Sequence, residues 1–123
     1  MPRNISFALT TDQIRDKSKT VTRRLGWKHL KQGEILNACV KCMGLKPGEQ
    51  IQRLGQIRVV SIKQEKLVEM MRNYEYGKTE AAREGFPEMD GGQFVKMFCE
   101  HMRPLYGCMT DVTRIEFEYV IAD

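Results

Sequence analysis

The segment at residues 112–121 constrains the fold of this chain most strongly, because apolar and charged side chains alternate along its length. The apolar residues at every second position are Ile115, Phe117, Tyr119 and Ile121. The charged residues between them are Arg114, Glu116 and Glu118. Strict alternation is typical of a β-strand with one face on a core and the other in water. The pattern therefore predicts a half-buried strand.

Other segments supply the rest of the predicted sheet and its connections. Strands are predicted where β-forming residues cluster, at residues 5–9, 35–40 and 56–64. Residues 18–24 are predicted to form a loop or a short strand. Short helical segments are predicted at residues 11–17, 66–71 and 80–84, with an exposed connection at 73–78.

The clearest helix signal begins at Asp90. Gln93 follows three residues later, which is the spacing of a capping box. Apolar residues and one histidine then recur at helical spacing: Phe94, Met97, Phe98, His101 and Met102. This stripe predicts a helix with one buried face, ending before Pro104.

These elements amount to about five or six strands and two to four short helices. Helices placed irregularly among strands predict an α+β fold, built as a small β-barrel or curved mixed sheet rather than a doubly wound parallel sheet. The length of 123 residues suits one domain, spanning residues 1–123.

The apolar segments bear on the location of the protein. No apolar run approaches the ~20 residues of a membrane helix, and the first residues are too polar for a secretory signal. We therefore expect a cytoplasmic protein without membrane association. Its four cysteines, Cys39, Cys42, Cys99 and Cys108, are then expected to be reduced.

The cysteine spacing does not favour a metal site. Cys39 and Cys42 form a CxxC, but Cys99 and Cys108 are too far apart to complete the usual zinc pattern. Cys39 and Cys99 are better interpreted as small buried apolar residues. The chain also lacks a P-loop, a GxGxxG and a serine elbow, so we predict neither a metal nor another cofactor.

Basic residues are concentrated in the first quarter of the chain. Residues 1–31 hold eight Lys and Arg against two Asp, whereas the remainder holds 12 basic and 14 acidic residues. A basic lobe suits an anionic partner such as RNA, DNA or a nucleotide. A solvated basic surface without a partner is the alternative.

The densest cluster of hydroxyls and cations is at residues 17–24. Lys19 and Thr22 can converge there if the chain turns, and a lysine amine beside a threonine hydroxyl forms a base and a nucleophile. The lysine must first lose its proton, which burial and the neighbouring Arg23 and Arg24 promote. Glu84 is a candidate acid for a leaving group. Trp27 is expected either to stack on a nucleic-acid base or to pack as a core plug, filling the mouth of the fold.

Several of these segments together resemble the ASCH domain family, which belongs to the PUA-like superfamily of small β-barrels. The resemblance is carried by residues 18–24, by Gly33-Glu34-Ile35-Leu36, by residues 82–87 and by Thr113-Arg114-Ile115-Glu116-Phe117. The pattern is closest to ASCH proteins of bacteria and their phages. It implies a PUA-like barrel.

The resemblance implies two functions. PUA-like domains bind RNA or modified nucleic acid in a cleft lined by the Lys/Thr/Arg segment. The binding residues expected from it are Lys17, Thr20, Arg23, Arg24, Trp27 and Lys28. One group of small bacterial ASCH proteins instead hydrolyses acetylcytidine without a metal. Its lysine, threonine and glutamate fall on Lys19, Thr22 and Glu84, as base, nucleophile and acid or orienting group.

Nucleic-acid binding ranks first of these predictions and the amidohydrolase second. The Arg23-Arg24 doublet favours a polyanion over a free nucleoside, and the chain carries a longer middle than the small enzymes. A third hypothesis is a regulatory protein that acts through protein contacts. Its surface would be formed by Met70, Met71, Tyr74 and Tyr76.

Overall fold

A computed structural model describes residues 2–42 and 44–121. Its five strands are β1 (Arg3–Ser6), β2 (Val21–Arg24), β3 (Ile35–Cys39), β4 (Arg53–Lys66) and β5 (Asp111–Val120). They form one curled sheet in the order β1-β3-β4-β5-β2. Only β1 and β3 pair in parallel among them. The prediction of an α+β fold, built as a small β-barrel or curved mixed sheet, is confirmed: the five strands curl into a half-barrel that is consistent with a PUA-like barrel.

The centre of the sheet is the antiparallel pair of β4 and β5. Their register runs from Gln56 opposite Val120 to Lys66 opposite Asp111. The register shifts between Val59 and Ser61, and an extra residue of this kind bends the longer strand. The alternating segment that predicted a strand at 112–121 is therefore the inner strand β5, with its ends displaced by one residue.

The described residues also form four α-helices: α1 (Thr11–Arg15), α2 (Glu69–Arg72), α3 (Tyr74–Arg83) and α4 (Gly91–Met102). A 3₁₀ turn follows at Gly107–Met109. The predicted capping box of α4 is confirmed, because Asp90 accepts from the Gln93 backbone and the Gln93 side chain accepts from the Asp90 backbone. A capping box satisfies two backbone donors that a helix start would otherwise leave unpaired.

The prediction for residues 73–78 was wrong. They are not an exposed connection but the first turns of α3, which begins six residues earlier than expected. The side chain of Asn73 accepts from the backbone N–H of Tyr76 and so caps the helix. Glu84 consequently lies at the C-terminal end of a ten-residue helix rather than at the end of a single turn.

The buried apolar residues form two clusters. The first lies against the sheet and includes Phe7, Leu36, Ile57 and Phe117. The second lies among the helices and includes Met70, Ala81, Phe94 and Phe98. Because Met70 is buried and Tyr76 half-buried, the four residues of the hypothetical protein-contact surface do not form one exposed face.

The cysteines lie in or beside these clusters. Cys39 is fully buried, and burial together with Cys42 raises the pKa of its thiol to about 11. Cys99 and Cys108 are half-buried against the helical cluster. Within residues 2–42 and 44–121, no group of three or more His, Cys, Asp or Glu is placed to hold a metal ion. No helix in the described part of the chain is long and apolar enough to cross a membrane.

The closest approach of backbone to backbone in the helical layer is at Gly91. A Cβ atom added there would overlap the carbonyl of Met70 and crowd the Cα of Gly77. Gly92, the next residue, has room for a methyl group, since the nearest atom to its added Cβ is a side-chain oxygen of Asp90 at 3.5 Å.

We expect opposite effects from alanine at these two neighbouring glycines. Gly91→Ala should lower the free energy of unfolding by about 1–3 kcal/mol, as overpacking does. Gly92→Ala should raise it by about 0.4–1 kcal/mol, because alanine restricts the unfolded chain. Urea denaturation of both variants measures the difference. Equal stability of the two would contradict this packing.

Candidate active site

A cavity of about 310 Å³ opens between the start of the chain, β2 and α4. Its polar lining comes mainly from residues in or near β2 and from the end of α3, namely Lys19, Thr22, Arg23, Arg24 and Glu84, and it also includes Ser6, Thr10 and His101. Its apolar lining comes mainly from the connection after β1 and from α4. The cavity therefore joins a small charged site to an apolar wall.

The wall contributed by α4 is the stripe that the helical spacing predicted. Phe94 and Phe98 are buried as expected. Met97, His101 and Met102 line the cavity with them. Phe94 and Phe98 also belong to the helical core, so the stripe contributes both to that core and to the cavity wall. Helical periodicity identifies an apolar face but does not distinguish a packed core from a cavity wall.

Lys19 carries the central amine of the site. Its side chain is almost completely buried, and its Nζ donates to the backbone carbonyl of Glu84 at 2.7 Å and to Glu84 Oε1 at 2.9 Å. Its backbone is held by Tyr119, whose hydroxyl donates to the Lys19 carbonyl at 2.6 Å. Burial lowers the pKa of the amine below 10.5, although the Glu84 carboxylate opposes this. The charges of Arg24 and Arg23 lower it further.

Thr22 and Arg24, both on β2, line the same cavity as this amine. The Nε of Arg24 donates to Thr22 Oγ1 at 3.0 Å, so the hydroxyl proton of Thr22 is free to point elsewhere. The guanidinium of Arg24 lies 4.8 Å from the ring centre of Phe7 and also donates to the Ser6 carbonyl. Burial lowers the pKa of Arg24 to about 10, which leaves it cationic at neutral pH.

Glu84 accepts from a different cation on each carboxylate oxygen. Lys19 contacts Oε1 at 2.9 Å and Arg23 contacts Oε2 at 3.0 Å. Both oxygens of the carboxylate are therefore occupied as hydrogen-bond acceptors. This arrangement suits a group that orients Lys19 better than a group that donates a proton.

Arg23 extends the site into a buried ionic cluster that the sequence analysis missed. Its guanidinium contacts Glu65 on β4 and Glu80 and Tyr76 on α3 as well as Glu84. Arg114 of β5 contacts Glu80 from the other side. The one signal for this cluster in the sequence was the spacing of Glu80 and Glu84, which puts both carboxylates on one face of a helix.

The other residues expected to bind a ligand lie outside the cavity lining. Lys17 and Lys28 are exposed. Thr20 is half-buried, and its hydroxyl accepts from Arg83. Trp27 packs on the sheet core with the Arg3 guanidinium 5.2 Å from its ring centre, an arrangement that favours the core-plug interpretation. Of the six expected binding residues, only Arg23 and Arg24 line the cavity.

Comparisons with known proteins inform the fold. No protein-family model and no curated protein matches the sequence. The structure is similar to that of EF3133 from Enterococcus faecalis V583, which carries the family designation DUF984, with a TM-score of 0.61 at 16% identity over 98% of this chain and 80% of that chain. It is also similar to hypothetical protein PH0355, with a TM-score of 0.62 at 18% identity over 98% of this chain and 100% of that chain. At these identities the likeness shows a shared fold.

Proposed function

We propose that this chain is an ASCH-type amidohydrolase that removes the acyl group from acetylcytidine or a related acylated nucleoside. The observation that carries the proposal is the buried Lys19 amine, held by Glu84 in the same cavity that Thr22 lines. An amine in such a place can accept a proton, and a threonine hydroxyl can serve as the nucleophile.

The contacts of Lys19 suit its neutral form. A neutral primary amine has two N–H groups and one lone pair. The two N–H groups match the two acceptors that Glu84 provides, its carbonyl and Oε1. The lone pair is then available to accept the proton of Thr22. Burial, Arg23 and Arg24 all favour this neutral state by lowering the pKa of Lys19.

The proposed reaction has two stages. Thr22 Oγ1 attacks the acyl carbon while its proton passes to Lys19 Nζ. The C–N bond breaks as the Lys19 ammonium returns that proton to the leaving amine of the base. Water then attacks the acyl–Thr22 ester, Lys19 again accepts and returns a proton, and the carboxylic acid leaves. Arg24 donates to Thr22 Oγ1 and so stabilises negative charge that develops on that oxygen.

The cavity favours a single nucleoside over a long polyanion. Its volume of about 310 Å³ lies at the lower end of the range for small-molecule sites. Apolar side chains such as Phe94 and Phe98 form much of its lining, and aromatic side chains stack readily on a base. The guanidinium of Arg23 is paired with buried carboxylates. The Arg23-Arg24 doublet therefore does not present two cations to a ligand.

Substitution of the nucleophile and the base tests this reaction. Thr22→Ala and Lys19→Met should each lower kcat for acetylcytidine by about 10²- to 10⁴-fold, because each removes a group that acts on the reacting atoms. Chromatography of the cytidine formed measures the rate. Thr79→Ala, at an exposed threonine of α3, is the matched control and should keep the wild-type rate. Wild-type rates in both site variants would exclude the assignment.

The pH dependence of hydrolysis follows from the lowered pKa of Lys19. The reaction needs the neutral amine, so kcat/KM should rise with pH through that pKa and level off above it, at a pH below 10.5. Lys19→Arg, which stays protonated, should lack activity across the range. A wild-type profile that falls as pH rises from 6 to 9 would contradict Lys19 as the base.

A second candidate function is the binding of single-stranded RNA, and exposed cations favour it. Lys19 and Arg23 are buried and the exposed Arg3 is paired with Glu34, but four other basic residues of the N-terminal segment are open to solvent: Arg15, Lys17, Lys28 and Lys31. Contacts between such cations and phosphates release counterions, which makes affinity depend on salt.

Binding of a labelled RNA oligonucleotide, measured by fluorescence anisotropy, tests this second function. If all four cations contact phosphates, the Kd should weaken by about 50-fold between 50 and 200 mM salt. Lys17→Ala with Lys28→Ala should reduce the salt slope by about half. The matched control combines Lys46→Ala with Lys96→Ala, two exposed lysines outside the N-terminal segment, and should preserve the slope. Affinity that does not change with salt would refute this function.

A further inference from the structure

The guanidinium of Arg23 is the centre of the buried ionic cluster. Its side chain is fully buried and reaches three carboxylates from two different elements. Nε contacts Glu65 at 2.9 Å, one terminal nitrogen contacts Glu80 at 2.6 Å, and the other contacts Glu84 at 3.0 Å. The planar fork of arginine can make these contacts simultaneously, which a lysine ammonium on a flexible stem cannot do with the same geometry.

The three carboxylates do not depend on Arg23 to the same degree. Glu80 also accepts two hydrogen bonds from Arg114. Glu65 also accepts from the hydroxyl of Tyr76 at 2.8 Å and lies 3.6 Å from Lys63. The carboxylate of Glu84, within the described part of the chain, contacts only Lys19 besides Arg23. Loss of Arg23 would therefore change the surroundings of Glu84 most.

We propose that Arg23 is a positioning residue, whose guanidinium holds the Glu84 carboxylate so that Glu84 in turn directs the Lys19 amine toward Thr22. The proposal rests on the proposed hydrolysis, in which that amine moves the proton. Arg23 contacts Lys19 through Glu84 and otherwise acts on it by its charge, since four of its five N–H donors are held by protein groups. This role differs from the ligand binding that the sequence predicted for Arg23.

The charges around Lys19 determine how the loss of Arg23 would change the protonation of the Lys19 amine. Glu84 faces the amine from the end of α3, and Arg23 and Arg24 face it from β2. Tyr119 of β5 contacts only the backbone carbonyl of Lys19. Removing Arg23 takes away a positive charge and leaves Lys19 as the group in contact with the Glu84 carboxylate, on which the charge of Arg24 also acts. Both changes favour the protonated amine.

Arg23→Gln tests the proposal through kcat, KM and pH together. We expect kcat for acetylcytidine to fall by about 10²-fold, the scale of a small misplacement of a reacting group. KM should change by less than about 3-fold, because four of the five Arg23 N–H donors are held by protein groups. The acid limb of the pH profile should move upward by about one pH unit, because the protonated amine is favoured.

Arg114→Gln is the matched control. Arg114 belongs to the same buried cluster and contacts Glu80, but it does not contact Glu84. It should lower thermal stability while kcat and the pH profile stay close to those of the wild type. If Arg114→Gln alters kcat and the pH profile as much as Arg23→Gln does, the cluster has only a structural role and the proposal is wrong.

A titration that needs no catalysis separates this proposal from the proposed function. The ¹⁵Nζ chemical shift of Lys19, followed by NMR against pH, should show a higher midpoint in Arg23→Gln than in the wild type or in Arg114→Gln. If the wild type does not hydrolyse acetylcytidine but this difference is found, the hydrolysis fails and the control of Lys19 by Arg23 stands. An unchanged midpoint in folded Arg23→Gln overturns the proposal.

Arg23→Lys replaces the glutamine variant if that variant does not fold. It keeps the positive charge but cannot bridge three carboxylates, so the pH profile should move little while kcat still falls by about 10-fold or more. A wild-type kcat in folded Arg23→Lys also overturns the proposal.

Discussion

The ion pairs of Arg23 are the contacts on which the placement of the candidate site depends. A buried charge is costly unless it is paired and hydrogen-bonded, and removing one partner of such a pair is strongly destabilising. Arg23 on β2 meets this requirement with carboxylates from β4 and α3. The same contacts attach α3 to the sheet, and so bring Glu84, at the end of that helix, beside Lys19. The packing of a helix and the geometry of a site thus depend on one guanidinium.

This buried ionic cluster also changes what the net charge of the chain implies about an anionic partner. The composition shows a net charge of +4 and a basic N-terminal segment. Lys19 and Arg23, however, are buried against carboxylates, and Arg24 stacks on Phe7 and contacts a backbone carbonyl. Part of the positive charge that would suit a nucleic acid therefore lies inside the molecule. The groups that line the cavity are a small set of polar side chains opposite an apolar wall.

The apolar wall of the cavity is formed in part by α4, which also contributes side chains to the helical core. Phe94 and Phe98 fill the helical core, and the same stripe continues as the lining of the cavity through Met97 and His101. The helix can approach its neighbours closely because Gly91 lies against the backbone of Met70. A small change at that crossing would therefore affect both the packing of α4 and the shape of the cavity.

Features that depend on neighbours along the chain could be predicted from the sequence. Alternation predicted β5, the Asp90–Gln93 spacing predicted the start of α4, and the grouping of Lys19 with Thr22 predicted two members of the site. These signals are local, because side-chain periodicity and capping act over a few residues. The start of α3 was missed because the asparagine cap at Asn73 was interpreted as part of a connection.

Contacts between groups that are distant along the chain could not be predicted in this way, because they depend on how the elements pack. Glu84 lies 65 residues from Lys19 in sequence, and its hydrogen bond to that amine requires α3 to pack beside β2. The burial of Arg23, and its pairing with Glu65 and Glu80, likewise arise from the way β2, β4 and α3 converge. An arginine in a basic segment has the same local pattern whether it faces solvent or a carboxylate. Its role is therefore set by the three-dimensional arrangement, which brings opposite charges together in a region that excludes water.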